Sequence, residues 1–380
     1  MTPLTSSEVD ALQVGYATPC LGMNPSHTLE LKFAALQSAG FKFVELGFGN
    51  YVSWVRSKVK LPPSTCPEEW KVDDEPDPSD DEIWEALYGH APALIDLALT
   101  HGLTLLIMQP LNQFDGWPSD HPRAEWARRK AERWLPLCSR LGVQYLQVGA
   151  NDQAGQGAGD EKTAEDLRWL AELGAKQDKP VKIAYENWCF SPRVNSWEHC
   201  YEIVKIANHP NLGLCLDTAQ MALAPPYGFH PETGKGFTDN EVNALINRLQ
   251  ALDPRYIFFF EISDVLKPDP PLYHGSPYDA WSKAQPSGTP ARSNWVQCAR
   301  TVPYVGRNCG RDVQDARDMG AARVAEIARA VFSTGFRGPV IWEIFEAIEF
   351  EKADEGVPRR YAEASGVSRR KLFDEITQGS

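Results

Sequence analysis

Short apolar runs alternate along this chain with longer stretches in which apolar positions recur every three or four residues. The first pattern is that of buried strands and the second that of amphipathic helices. QVGYA within residues 12–18 reads as a first strand, and TLELKFAALQSAG as a helix closed by Gly40. FKFVELGF follows as a strand ending near Glu45; residues 51–81, rich in Pro, Asp and Trp, read as a long loop insertion. The helix DEIWEALYGHAPALIDLALTHG then leads to the strand LTLLIMQP and a loop holding Phe114, Asp115 and Trp117. The rhythm continues with a helix over residues 122–141, strand VQYLQV, helix 163–173, strand VKIAYE, helix SWEHCYEIVKIAN and strand LGLCLD. Helix NEVNALINRLQAL, strand YIFFFE, helix AARVAEIARAVFSTG, strand PVIWEIF and a closing helix within residues 359–376 complete it. Eight β-then-α units predict an α/β chain folded as a (β/α)8 barrel. An open doubly wound sheet is the alternative, but no linker or composition break divides the chain. Residues 1–380 are read as one barrel domain, with 345–380 a helical extension packed on it. The long interruptions at residues 221–238 and 263–319 are expected to lie over the barrel mouth.

Four of the apolar runs end in a carboxylate: Glu186 after VKIAY, Asp217 after NLGLCL, Glu261 after RYIFFF and Glu343 after GPVIW. Strand ends of a barrel deliver side chains to one rim, where the active sites of such folds sit. Carboxylates gathered there are costly unless a positive charge lies among them. Capping and ordinary ion pairs would account for any one, but a shared divalent cation accounts for all four. Oxygen-only coordination suits Mg2+ or Mn2+. Such an ion can polarise a carbonyl and stabilise an enolate as a neighbouring C–H is deprotonated, the chemistry of isomerases, epimerases and some dehydratases. Gln109, Gln147 and Glu45 fall near strand ends facing the same rim and are candidate contacts for substrate hydroxyls. Phe114, Trp117, Trp188 and Trp295 are candidate walls for a ring, and His274 in the long second interruption is a free-standing candidate base.

Composition changes this picture little. A formal net charge of −13 with no basic stripe argues against a nucleic-acid partner. No apolar run reaches the length of a membrane span, and the first residues lack the features of a secretory leader, so a cytoplasmic protein without membrane association is expected. The eight cysteines include no CxxC pair and are read as reduced and mostly buried. AGQGAGDEK has GxGxG spacing, not the dinucleotide GxGxxG, and reads as a loop; HExxH, Walker A and GxSxG patterns are absent. The expected partner is a small molecule; a homo-oligomer is compatible with the sequence.

The string AYENWCF followed by SWEHCYEIVKIANHPNLGLCLDT resembles fungal-type 3-dehydroshikimate dehydratases of the xylose-isomerase-like barrel superfamily. LIMQPLNQFDGW, YLQVGAN, PARSNWVQCAR, VIWEIF and VPRRYAEAS extend the resemblance over most of residues 15–376. It implies metal ligation by Glu186, Asp217, Glu261 and Glu343, and loss of water from a cyclic hydroxy-ketone acid to give protocatechuate. By analogy with related epimerases it implies that Glu186 and Glu343 also move protons. Arg292 and Arg300 fall in the segment resembling PAR…W…R, where an arginine fork would grip a substrate carboxylate. Two positions depart from the pattern. Glu261 stands where the dehydratases typically carry Gln and the epimerases His, and Gln220 stands where several relatives place a proton-transferring His. Gln220 and Trp188 join the candidate substrate contacts. The expected activity is a metal-dependent dehydratase; a sugar isomerase or epimerase is the second reading, and a non-catalytic binding protein the third.

Overall fold

The computed structural model describes residues 4–70, 75–153, 155 and 157–378. Eight parallel strands close into a barrel: β1 Val14–Ala17, β2 Phe43–Gly47, β3 Thr104–Leu111, β4 Tyr145–Gly149, β5 Lys182–Glu186, β6 Leu212–Asp217, β7 Ile257–Ile262 and, last in the chain, Val340–Trp342. Two short strands outside the barrel, β8 Asp264–Val265 and β9 Arg300–Thr301, precede that last one, which is therefore β10. Chain neighbours pair in order, and β1 closes the ring by pairing with β10, Tyr16 opposite Trp342. The strands are short and almost wholly buried, as expected when helices cover a parallel sheet.

The helices form where the three-to-four spacing of apolar residues predicts them, and local chemistry sets their ends. Thr28 caps Leu29–Ser38, Ser196 caps Trp197–Ala207, and Thr238 forms a capping box with Glu241 at the start of Asp239–Gln250. Pro122–Leu141 begins with proline and ends on Gly142, whose φ of 72° is the left-handed value that stops a helix. The 22-residue helix Val357–Gln378 packs between Leu29–Ser38 and Val324–Ser333, so the last helix completes the outer ring. Ser365 and Arg369 fasten it to Tyr16 and to the Gly40 carbonyl.

Three parts of the sequence reading need correction. The expected loop at residues 51–81 begins inside the helix Phe48–Lys58, whose Tyr51, Val52, Trp54 and Val55 are buried. The interruption at 221–238 begins inside a short helix, Thr218–Ala222. The interruption at 263–319 is not structureless: β8 and β9 pair antiparallel within it, and Asp279–Ala284 and Ala291–Cys298 are helical. The start of the chain adds a helix the pattern did not predict, Ser6–Ala11, held by a Thr5–Glu8 capping box. All eight cysteines are free, and only Cys309 is not fully buried. Among the described residues no helix is long and apolar enough to cross a membrane. Ala154 and Gln156 of the AGQGAGDEK stretch lie outside the described residues.

Candidate metal centre

Because successive strand residues point to opposite faces, a carboxylate at the end of each strand enters the barrel only if the register permits it. Here it does. Glu186 ends β5, Asp217 ends β6 opposite Glu261 of β7, and Glu343 follows β10, its N–H donating to the Ile262 carbonyl at 3.0 Å. One oxygen from each of the four carboxylates falls in a group whose members all lie within 4.8 Å of one another. All four side chains are buried. A second set of ligand atoms, those of Glu186, Glu261 and the thiol of Cys215, meets the same limit.

The surrounding polar groups aim the ring. Asp217 is also the cap of Thr218–Ala222, so its Oδ1 accepts from the Ala219 N–H at 2.8 Å and Oδ2 is turned into the cluster. The Gln147 amide donates to Glu186 Oε2 at 2.9 Å and to Glu261 Oε1 at 3.2 Å. Gln109 donates to Glu343 Oε1 at 3.1 Å. The Trp188 indole N–H donates to Glu186 Oε2 at 2.8 Å, and its ring fits because β4 ends in glycine. A Cβ on Gly149 would stand 2.2 Å from that ring. Glu45 adds a fifth buried carboxyl from β2, in the field of Glu261 and Glu343.

The cation in this cluster is Arg300. One terminal guanidinium nitrogen lies 2.8 Å from Asp217 Oδ2 and 2.5 Å from Glu343 Oε2, and Nε donates to the Ser263 hydroxyl at 3.1 Å. Its backbone is fixed twice, by pairing with Val265 in β8 and by reciprocal hydrogen bonds with Phe345 just beyond Glu343. The guanidinium therefore sits over the Phe345 ring with its charge committed to two acids, not as an open fork for a substrate carboxylate. Burial works against its charge, but Asp217 and Glu343 outweigh it, and the net effect is to hold the proton more tightly.

One arginine cannot neutralise five carboxyls. Burial, then the neighbouring Glu343, push Glu186, Glu261 and Glu45 well above the usual carboxylate range. Burial also raises Asp217, against the pull of Arg300, to about 7. Glu186 Oε1, Glu261 Oε2 and Gln147 Oε1 are buried without a hydrogen-bond partner. Unpaired buried oxygens of this kind are expensive, and one oxygen from each of the four carboxylates already lies at the spacing of ligands to a shared cation. The residues therefore fit a divalent ion.

Other expected site residues stand outside the ring of carboxylates. Arg292 is half-buried on the segment over the mouth, its Nε donating to the Leu223 carbonyl at 2.9 Å. The Gln220 Oε1 accepts the Cys189 N–H at 2.9 Å, so this side chain braces the loop after β5. Phe114, Trp117 and Trp295 are packing groups: Phe114 stacks on Trp169, Trp117 on His121, and Trp295 meets Tyr278 edge-on while donating to the Leu266 carbonyl. His274 is exposed on its loop. The reading by sequence did not single out Cys215 or Ser263 for the centre. Each stands two residues from an acid, Asp217 or Glu261, on the same strand run, and period two was the available signal.

Residues 33–364 match the family described as Xylose isomerase-like TIM barrel. A 3-dehydroshikimate dehydratase of Neurospora crassa is 29% identical over 359 residues, 92% of this chain and 90% of that protein. Among solved structures, a xylose isomerase-like TIM barrel/4-hydroxyphenylpyruvate dioxygenase fusion protein superimposes with a TM-score of 0.63 and 21% identity. That match covers 96% of this chain but 43% of the fusion chain. The IOLI protein, in a structure with a binding zinc atom, gives a TM-score of 0.58 at 18% identity, covering 97% of this chain and 99% of its own.

Proposed function

From the premise that this chain belongs to the xylose isomerase-like TIM barrel family, we propose that it is a divalent-metal dehydratase. Its substrate class is a small cyclic hydroxy-ketone acid of the 3-dehydroshikimate type. The observation that carries the reading is the convergence of Glu186, Asp217, Glu261 and Glu343 within 4.8 Å, in a chain that aligns nearly end to end with such a dehydratase. Those four residues would hold the ion. When bound, it supplies Lewis acidity toward the carbonyl and hydroxyl oxygens of the substrate. The four oxygens by themselves suit Mg2+ or Mn2+.

The chain's own groups divide the remaining work. Glu186 is the base: Gln147 and Trp188 hold its Oε2, leaving Oε1 unpartnered to take the proton from the carbon beside the carbonyl. Glu343, oriented by Gln109 and Arg300, is the second proton-moving candidate, and the proton Glu186 takes from the carbon is the one the departing hydroxide carries off as water. Arg300 balances Asp217 and Glu343. Arg292, its Nε held by the Leu223 carbonyl, is the candidate to grip the substrate carboxylate with its terminal nitrogens. Trp188 stands beside Glu186 as the aromatic wall.

The test is incubation with dehydroshikimate, before and after chelation. Growth of the aromatic absorbance of protocatechuate that stops on chelation and returns with metal supports the reading. Interconversion of ketoses without aromatic product would replace it with an epimerase.

A further inference from the structure

The inner side of the carboxylate ring carries a thiol. Cys215 lies two residues before Asp217 on β6, in register with Glu186 of β5 and Phe259 of β7. Its sulfur and one oxygen each from Glu186 and Glu261 all lie within 4.8 Å of one another, the same spacing as the four-carboxylate set. The unpartnered atoms named above, Glu186 Oε1, Glu261 Oε2 and Gln147 Oε1, belong to side chains at most 2% exposed on this side of the ring. The other side differs, because Arg300 already divides its charge between Asp217 and Glu343. Buried oxygens with neither a hydrogen-bond donor nor a cation beside them therefore gather where the sulfur is.

We propose that Cys215 is a ligand of the divalent ion, and that it makes this a centre for a thiophilic cation such as Zn2+ or Co2+ in preference to Mg2+. The inference rests on the reading that a divalent cation binds among the carboxylates. Glu186 and Glu261 are shared by both ligand sets, so an ion resting between them meets the thiol on one side and Asp217 and Glu343 on the other. Sulfur binds zinc-type ions as the thiolate: on coordination the thiol proton passes to solvent and a sulfur lone pair goes to the metal. Mg2+ takes oxygen ligands in near-ideal octahedra and gains nothing from sulfur. Cys20, also buried, lies in the field of Glu343 and Arg300 and belongs to neither ligand set.

The test uses the full chain, stripped with chelator and loaded with Co2+. The expected result is a near-ultraviolet sulfur-to-cobalt band in the wild type and in Cys20→Ser, absent from Cys215→Ser. Zn2+ affinity should fall by ~10–100-fold or more in Cys215→Ser, with Mg2+ affinity unchanged. Bound Co2+ with no sulfur band, or a band that survives Cys215→Ser, overturns the assignment while leaving the oxygen-bound centre standing. No Co2+ uptake by equilibrium dialysis overturns the metal reading itself. Should Cys215→Ser not fold, cadmium NMR of the wild type decides, since a single thiolate moves the resonance far from that of an all-oxygen site.

Discussion

Replacing Arg300 with Met keeps an apolar stem over Phe345 and removes the one cation among the described residues that touches Asp217 and Glu343. Arg300 is 2% exposed and Asp217 fully buried, so water does little to relieve the loss. Taking away one partner of such a pair costs about 3–5 kcal/mol. A 380-residue chain unfolds with an entropy of roughly 0.8 kcal/mol/K, at about 2.1 cal/mol/K per residue. The chelated variant should therefore melt about 4–6 °C below the chelated wild type in a calorimetric scan. Because the stranded carboxylates then depend on the ion, metal should restore more to the variant than to the wild type. A cation at 100 times its Kd stabilises by about 2.7 kcal/mol, or roughly 3 °C here. Asp217→Asn in the Arg300→Met background removes the stranded buried charge and should recover part of the loss, with a coupling of about 0.5–3 kcal/mol. Equal melting temperatures for Arg300→Met and wild type, or a double variant that simply adds the two losses, would refute the charge-balancing role.

Four further outcomes can be checked. Asp217→Ala or Glu343→Ala should lose the metal, read by elemental analysis after dialysis, while far-ultraviolet circular dichroism stays that of the wild type; unchanged metal content in both contradicts the ligand assignment. Gly149→Ala should lower kcat by displacing the Trp188 ring from Glu186 with little change in metal content, and wild-type turnover in that variant would remove Trp188 from the site. Lys32 is buried with only the Gly22 carbonyl to receive its Nζ, and burial lowers its pKa from 10.5 to about 7. A lowered folded-state pKa means stability that is full above 10.5 and lost as pH falls toward 7, worth roughly 5 kcal/mol at the limit. Lys32→Met should flatten the rise in stability between pH 7 and 10.5, and an unaltered slope would count against the buried amine. Finally, Glu261→Gln should stabilise the chelated protein and weaken ion binding, as titration calorimetry would register, since it removes a buried carboxyl raised by burial and its neighbours.

The four ring carboxylates were legible because each terminates an apolar run, and a run that must be buried fixes where its last side chain can go. The place of Gln109, Gln147 and Glu45 at the same rim was legible for the same reason, but not the hydrogen bonds that Gln109 and Gln147 give to the ring acids. The role of Arg300 was not, because it depends on a contact with Glu343 43 residues away and on two backbone pairings that no local pattern records. Composition also misled at Phe48–Lys58. Tyr51, Val52 and Val55 carry the helical spacing, but the Pro- and Asp-rich residues beyond them gave the whole stretch the look of a loop. Trp117 and Trp295 show the opposite error: an aromatic near a barrel mouth was open to two readings, and their buried N–H groups, bonded to backbone carbonyls, assign them to packing.

Arg300 is carried by the insertion that follows β7, yet its charge is spent on acids rooted in β6 and β10. Roof and floor of the cleft are thus riveted together by a single side chain. An engineer who transplants that insertion from a relative, or shortens it, also rewrites the electrostatics of the pit below. Any change to the roof that shifts Arg300 is thus also a change to the charge balance of Asp217 and Glu343.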